Sequence, residues 1–157
     1  MKNTTQIPES DFKLHGKVIT KLFDLQGSLV EEKVQYNKVV NVSRNGFAAL
    51  LNAETAFTGI VNYGAVGTGA NAPTDADTTL QTEIGRVAVS SRSRAANVTT
   101  LSFEYPPTVG NGTLKEFGAY IDGTATVNSG SLFDRVNIDV NKTSSTTLII
   151  DLVINIL

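Results

Sequence analysis

Asp75, Asp77 and the nearby Glu83 could offer hard oxygens, and loop carboxylates at alternate positions are what a Ca²⁺ ion would take. The spacing is not that of a full calcium loop, however. Asp77 also stands where it can cap a turn beginning at Thr78, so capping is its expected role and Asp75 and Asp77 are secondary metal candidates. Just upstream, Gly67-Thr68-Gly69-Ala70-Asn71-Ala72 follows an apolar run, as a glycine loop cradling a pyrophosphate would. Pro73 and the two aspartates occupy the place where the helix of such a site should start, so a surface loop is expected. Glu104 and Glu116 could be imagined as the acid and base of a glycoside hydrolase, which needs two carboxyls about 5–10 Å apart in a cleft. With no Trp in the chain, the aromatic platforms of a sugar cleft are lacking, and a structural role for Glu116 is expected. His15 is the single histidine, and without a Gly-x-Ser-x-Gly elbow it reads as an exposed strand-end residue rather than a triad member. No catalytic residue and no cofactor is expected.

Charge and composition narrow the partners. Thirteen Lys plus Arg against fifteen Asp plus Glu give a net charge of -2, leaving no cation excess for a phosphate backbone or an anionic membrane, so neither nucleic acid nor membrane is an expected partner. There is no Cys, hence no disulfide framework and no thiolate chemistry. Met1 to Asp11 is polar, without the apolar stretch of a secretory signal, and no apolar run approaches the ~20 residues of a membrane span. Arg86, Arg92 and Arg94 fall on one side of an alternating run from Arg86 to Arg94. This stripe suits pairing with acidic groups of a neighbouring subunit better than it suits an anion pocket. Five Asn-x-Ser/Thr sequons, at Asn3, Asn41, Asn97, Asn111 and Asn141, follow from abundant Asn and Thr and carry no glycan expectation.

The elements that must position these residues are mostly strands. Thr, Val and Ile are plentiful and glycines punctuate the chain, as in strands joined by tight turns. Val18–Phe23 and Leu29–Val40 alternate around Gln26-Gly27-Ser28 and predict a hairpin. Asn41 or Ser43 can cap a short helix of about residues 43–53, with Phe47, Leu50 and Leu51 on one face. Ile60–Val66 reads as a buried strand leading into the longest loop, 67–77, followed by one helical turn over Thr78–Ile84. Arg86–Arg94 and Asn97–Tyr105 form the next pair, turned at Ala95-Ala96 and stopped by Pro106-Pro107. Thr113–Ile121, Leu132–Val140 and Thr146–Leu157 complete about eight strands, the last apolar on both faces and therefore central. Nothing suggests a βαβ unit. The expected organisation is a polar arm over 1–11, ordering against a neighbour, and one mainly β domain over 12–157, an antiparallel β-sandwich or jelly roll with one short helix.

Seven stretches in order add a resemblance. They are Tyr36 to Asn41; Tyr63 to Gly69; Ala72-Pro73; Asp77 to Leu80 with Glu83 to Arg86; Gly112 to Gly118; Leu132 to Arg135; and Lys142 to Leu148. From about Val34 to the C-terminus the chain resembles a family of small tailed-bacteriophage virion proteins. That family carries a "VGTG" step, an "L..E..R" turn, a "G.L.E.G" strand and a closing "KT...TL" strand. The resemblance implies a non-enzymatic structural protein on the particle exterior, a capsid decoration or cement protein or a collar or tail-fibre component. It would be assembled in the bacterial cytoplasm and work by self-association, with a homotrimer expected, and by docking to major capsid, collar or tail proteins. The alternative is a receptor- or glycan-binding module of a tail fibre, with Tyr63, Tyr105 or Tyr120 exposed for stacking. Within the "L..E..R" turn, Glu83 and Arg86 would form a helix-spaced, partly exposed ion pair pinning the loop. Gly67 and Gly69 would allow a sharp turn, with positive φ if needed, and Phe117 and Phe133 would lie in the core.

Overall fold

The computed structural model describes residues 13–54 and 56–157; the arm expected at 1–11 lies outside them. Ten strands and one helix follow in order: β1 (Leu14–Asp24), β2 (Leu29–Tyr36), β3 (Lys38–Val39), α1 (Asn41–Leu51), β4 (Val61–Gly67), β5 (Glu83–Ala88), β6 (Ser91–Ala95), β7 (Val98–Tyr105), β8 (Gly112–Ile121), β9 (Ser131–Lys142) and β10 (Thr146–Ile156). They build two five-stranded sheets, ordered β2-β1-β10-β7-β6 and β3-β9-β8-β4-β5, with antiparallel pairing throughout. Of the two expected architectures, the sandwich describes it. No helix among the described residues is long and apolar enough to cross a membrane.

Alternation decides what each sheet buries. Leu148, Ile150, Leu152 and Ile154 of β10 share the interior with Val18 and Leu22 of β1 and Leu101 and Phe103 of β7. From the second sheet, Phe117 and Ile121 of β8 and Phe133, Val136 and Ile138 of β9 meet them. The Phe103 and Phe117 rings touch across the interface, their centroids 5.4 Å apart. As expected, β10 is central, between β1 and β7. A second apolar cluster, Val40, Ala65, Leu80, Tyr120 and Leu132, lies on the opposite face of the second sheet. Leu80 is contributed by the long segment 68–82 that follows β4.

Where the elements depart from expectation, the chain is changing sheets. The run Leu29–Val40 is not one strand. It breaks at Asn37, whose N–H donates to the Gly16 carbonyl of β1 (3.2 Å) while its side-chain amide donates to Asp134 of β9. Arg86–Arg94 is likewise two strands in two sheets. Val89 N–H donates to Asn62 O of β4 (3.0 Å) and the next amide, Ser90, to Ser102 O of β7 (2.8 Å). No helical turn forms over 78–84; Leu80 is held by its N–H on the Tyr120 hydroxyl oxygen (3.0 Å) and Glu83 already begins β5. The helix starts at Asn41 rather than 43 and ends at Leu51. Its N-cap is Val40, without a side-chain bond, and the Asn41 N–H is taken by Asp75 O (2.9 Å). Phe47 packs edge-on against Phe57 and Phe133, but Leu51 is 91% exposed, so the apolar face is narrower than the spacing suggested.

Candidate functional site

Two of the buried charges, Glu116 and Arg135, meet beneath the 68–82 segment. Glu116 follows Leu114 and Lys115 in β8 and precedes the core residue Phe117, so its side chain leaves the core and rises under the loop. It is fully buried. One carboxylate oxygen accepts from the N–H groups of Gly69 (3.0 Å) and Thr82 (2.7 Å), the other from Gln81 N–H (2.9 Å) and the Arg135 guanidinium (2.9 Å). Arg135, 3% exposed on β9, also donates to Asp77 (2.8 Å) and to Asn71 O (3.2 Å). A single carboxylate thus gathers both ends of the segment, and a single guanidinium ties its middle to the sheet. Charge-assisted bonds of this kind are the strong ones, and such a pair is tolerable in the interior because the remaining lone pairs are filled.

A second ion pair flanks the first. Arg86 binds Glu83 bidentately (2.8 and 2.9 Å), with both side chains almost wholly buried. Residues three apart on a regular strand face opposite ways. Here Gly67 pairs with Glu83 while the preceding Val66 pairs with Gly85, so Ile84 is an extra residue, and that bulge brings Glu83 and Arg86 to one side. The pair is therefore strand-borne and buried, not helix-spaced and partly exposed. The Arg86 guanidinium lies 4.3 Å from the Tyr120 ring centroid and donates to Ser129 O (2.8 Å) and Thr124 O (3.2 Å), fixing the 124–129 turn as well. Burial pushes the Tyr120 hydroxyl up to about 12.

Gly67 and Gly69 belong to the same unit for a reason other than the one expected. Neither has a positive φ. A Cβ on Gly67 would instead run into the Thr82 carbonyl, and one on Gly69 into Gln81 and Glu116, so both are small to let the loop close on the carboxylate. Asp77 does not cap a turn after it; it accepts from Thr74 N–H (3.0 Å) and hydroxyl (2.7 Å) behind it. Burial pushes its carboxyl up, but the bonds from Thr74 and Arg135 outweigh that and hold it below the ordinary aspartate range. Asp75 faces Lys38 (3.3 Å) and Arg44 (3.8 Å). The three carboxylates of the run are thus spent on separate cations. Among the described residues no group of three or more His, Asp or Glu is placed to hold a metal ion.

The other candidates scatter. Glu104 is exposed on β7 of the first sheet, while Glu116 is sealed in the second, so the two share no cleft. Arg92 and Arg94 sit on β6, in the opposite sheet from Arg86, which dissolves the three-cation stripe; Arg92 donates to Val61 O and Arg94 to Ala96 O. His15 is exposed near the start of β1, as expected. Tyr105 and Tyr120 are fully buried and unavailable for stacking, and Tyr63 packs beside Tyr120.

Three buried groups lie in the quoted stretches but were given no role by the sequence reading. Arg135 and Asp134 stand inside an apolar strand, Leu132-Phe133-Asp134-Arg135-Val136, and charges embedded in such a run were the available signal. Asp134 accepts from Ala119 N–H (3.1 Å) and from Asn37, and burial pushes its carboxyl up to about 7. Lys142, 1% exposed, donates to Pro106 O (2.7 Å) and Asn111 Oδ1 (2.8 Å), anchoring another crossing between the sheets; desolvation holds its amine below the ordinary lysine value. Set against known protein families, curated proteins and solved structures, the chain finds no match in any of the three.

Proposed function

We propose that this chain is a non-enzymatic structural protein of a tailed-bacteriophage particle, carried on the exterior as a decoration or cement protein or as a collar or tail-fibre component. The observation that carries the reading is the convergence of the motif residues. Gly67, Gly69, Glu83, Arg86, Glu116 and Arg135, quoted from four separate stretches, meet in one clamp, where their hydrogen-bonding capacity is taken up by the chain's own backbone and side chains. Residues used this way set the shape of a loop on a stiff sandwich. That is what a coat component needs: fixed surfaces that fit a neighbour, with association rather than bond making as its work. The partners are further copies of the chain and other virion proteins.

The test is the particle. Antibody labelling of purified particles, imaged by negative stain, is expected to mark regular exterior positions, and mass spectrometry of the same particles to contain the chain. Purified particles free of the chain would refute the proposal.

A further inference from the structure

At the end of the sandwich where β1 begins and β10 finishes, the two sheets leave an apolar groove of about 340 Å³. Leu14 and Ile156 line it from the first sheet, Phe133 from the second and Phe47 from α1. Ile60, just before β4 and also in the lining, is 56% exposed, and Ile156 is 40% exposed. Arg92 of β6 is the one charged side chain in the lining. Its guanidinium donates to Val61 O and has no carboxylate partner among the described residues. Apolar surface gathered in a hollow marks a contact site.

We propose that the chain covers this groove with its own residues 7–12, Phe12 entering beside Leu14 and Glu9 pairing with Arg92. Three observations name this occupant. The first is register. Leu14, Gly16 and Val18 of β1 lie opposite Ile156, Ile154 and Leu152 of β10 on the inward side, and the ladder runs one residue further, Lys13 and Leu157 exchanging two N–H to O bonds of 2.8 Å. Period-two alternation then assigns Phe12 the side of Leu14, which is the side of the groove. The second is reach. From β1 to β6 the groove is crossed in three strand spacings, about 14 Å, and the five steps from Phe12 back to Ile7 cover about 16 Å when extended. Pro8 favours that extended form at Ile7. The third is chemistry. Ile7 and Phe12, the large apolar residues of the stretch, flank Glu9 and Asp11, so it brings apolar ends and acid to an apolar groove with a single cation. The arm that the sequence led us to expect against a neighbour is thereby shortened to the residues before Ile7. The inference does not depend on the virion reading.

Isotope-filtered NMR on an equal mixture of labelled and unlabelled full chain tests the proposal. Nuclear Overhauser contacts from the Phe12 ring to Phe133 and to the Ile60 methyl groups are expected within one molecule. Their absence overturns the inference. So does their appearance only between molecules, because the groove then takes a neighbour's segment. Phe12→Ala is expected to lower the melting temperature by about 5 °C. It is also expected to raise the fluorescence of added anilinonaphthalene sulfonate by about twofold or more, since the dye reports apolar surface newly open to water. A variant that matches wild type in both measurements overturns the inference as well. Removing both charges, in Glu9→Gln with Arg92→Gln, is expected to lower the urea midpoint no further than removing either one. Losses that add overturn the pairing of Glu9 with Arg92.

Discussion

At the scale of single residues, the charged side chains of the interior act as fasteners for backbone. Glu116 takes three N–H groups and Arg135 at once. In Glu116→Gln one carboxylate oxygen becomes a donor facing other donors, and Arg135 keeps only Asp77 as countercharge. A loss of about 3–5 kcal/mol is expected in urea unfolding, the cost of breaking a buried pair from one side. Tyr105 gives the opposite expectation. Its ring fills the core but its hydroxyl is buried with no hydrogen-bond partner, and desolvation drives its ionisation well above the ordinary tyrosine range. Tyr105→Phe removes an unsatisfied group and keeps the packing, so a gain of up to about 1 kcal/mol is expected in the same measurement. A loss of stability would mean that the hydroxyl has a partner.

At the scale of elements, the informative pieces are those where a local pattern was interrupted. The hairpin of β1 and β2 and the central strand β10 were legible because period-two alternation is a local property of the chain. The pair Glu83 and Arg86 was legible as a pair, but its burial was not. That depends on the bulge at Ile84 and on Tyr120 arriving from β8, a neighbour fixed only by the fold. Arg86, Arg92 and Arg94 alternate perfectly and still part company. Nothing in their own spacing says that successive amides at Val89 and Ser90 will serve different sheets. The loop after β4 was visible from its glycines and proline, whereas the reason for Gly67 lies in a carbonyl fifteen residues on. Gly67→Ala must push that carbonyl away or open the loop. It is expected to cost about 1–3 kcal/mol and to expose 68–82 to limited proteolysis, read as a new cleavage site in that segment.

For the molecule as a whole, stability hangs on the places where the chain passes between sheets. Asp134 holds one of them, through Asn37. Its native carboxyl keeps a proton up to about pH 7, while the unfolded chain releases it near the ordinary value of 3.8. The folded state therefore binds the extra proton across that window. The contribution is complete below pH 3.8 and is lost as pH rises through 7, with a slope of at most about 1.4 kcal/mol per pH unit. Asp77 works in the other direction and at more acid pH, its stabilisation present above the ordinary aspartate value and lost as pH falls through its depressed one. In Asp134→Asn the neutral amide still accepts from Ala119, and the Asn37 amide can turn its unpartnered oxygen toward the new donor. Urea unfolding between pH 4.5 and 8 is expected to show the wild type weakening with rising pH and the variant nearly flat. An unchanged slope in the variant would assign the titration elsewhere.

The amino-acid sequence alone determined that the protein is built of antiparallel strands with one short helix, where most strands and turns fall, and which strand is central. These follow from side-chain alternation and turn chemistry, which act over a few residues. Only the tertiary structure decided which charges are buried and with whom, that the arginines divide between sheets, that two tyrosines which the receptor-binding alternative needed exposed are core, and that the outer face of the second sheet is sealed by the chain's own loop. Those outcomes depend on groups far apart in sequence sharing one low-dielectric interior, where an unpaired charge is too costly to keep and each must find whatever partner the fold delivers.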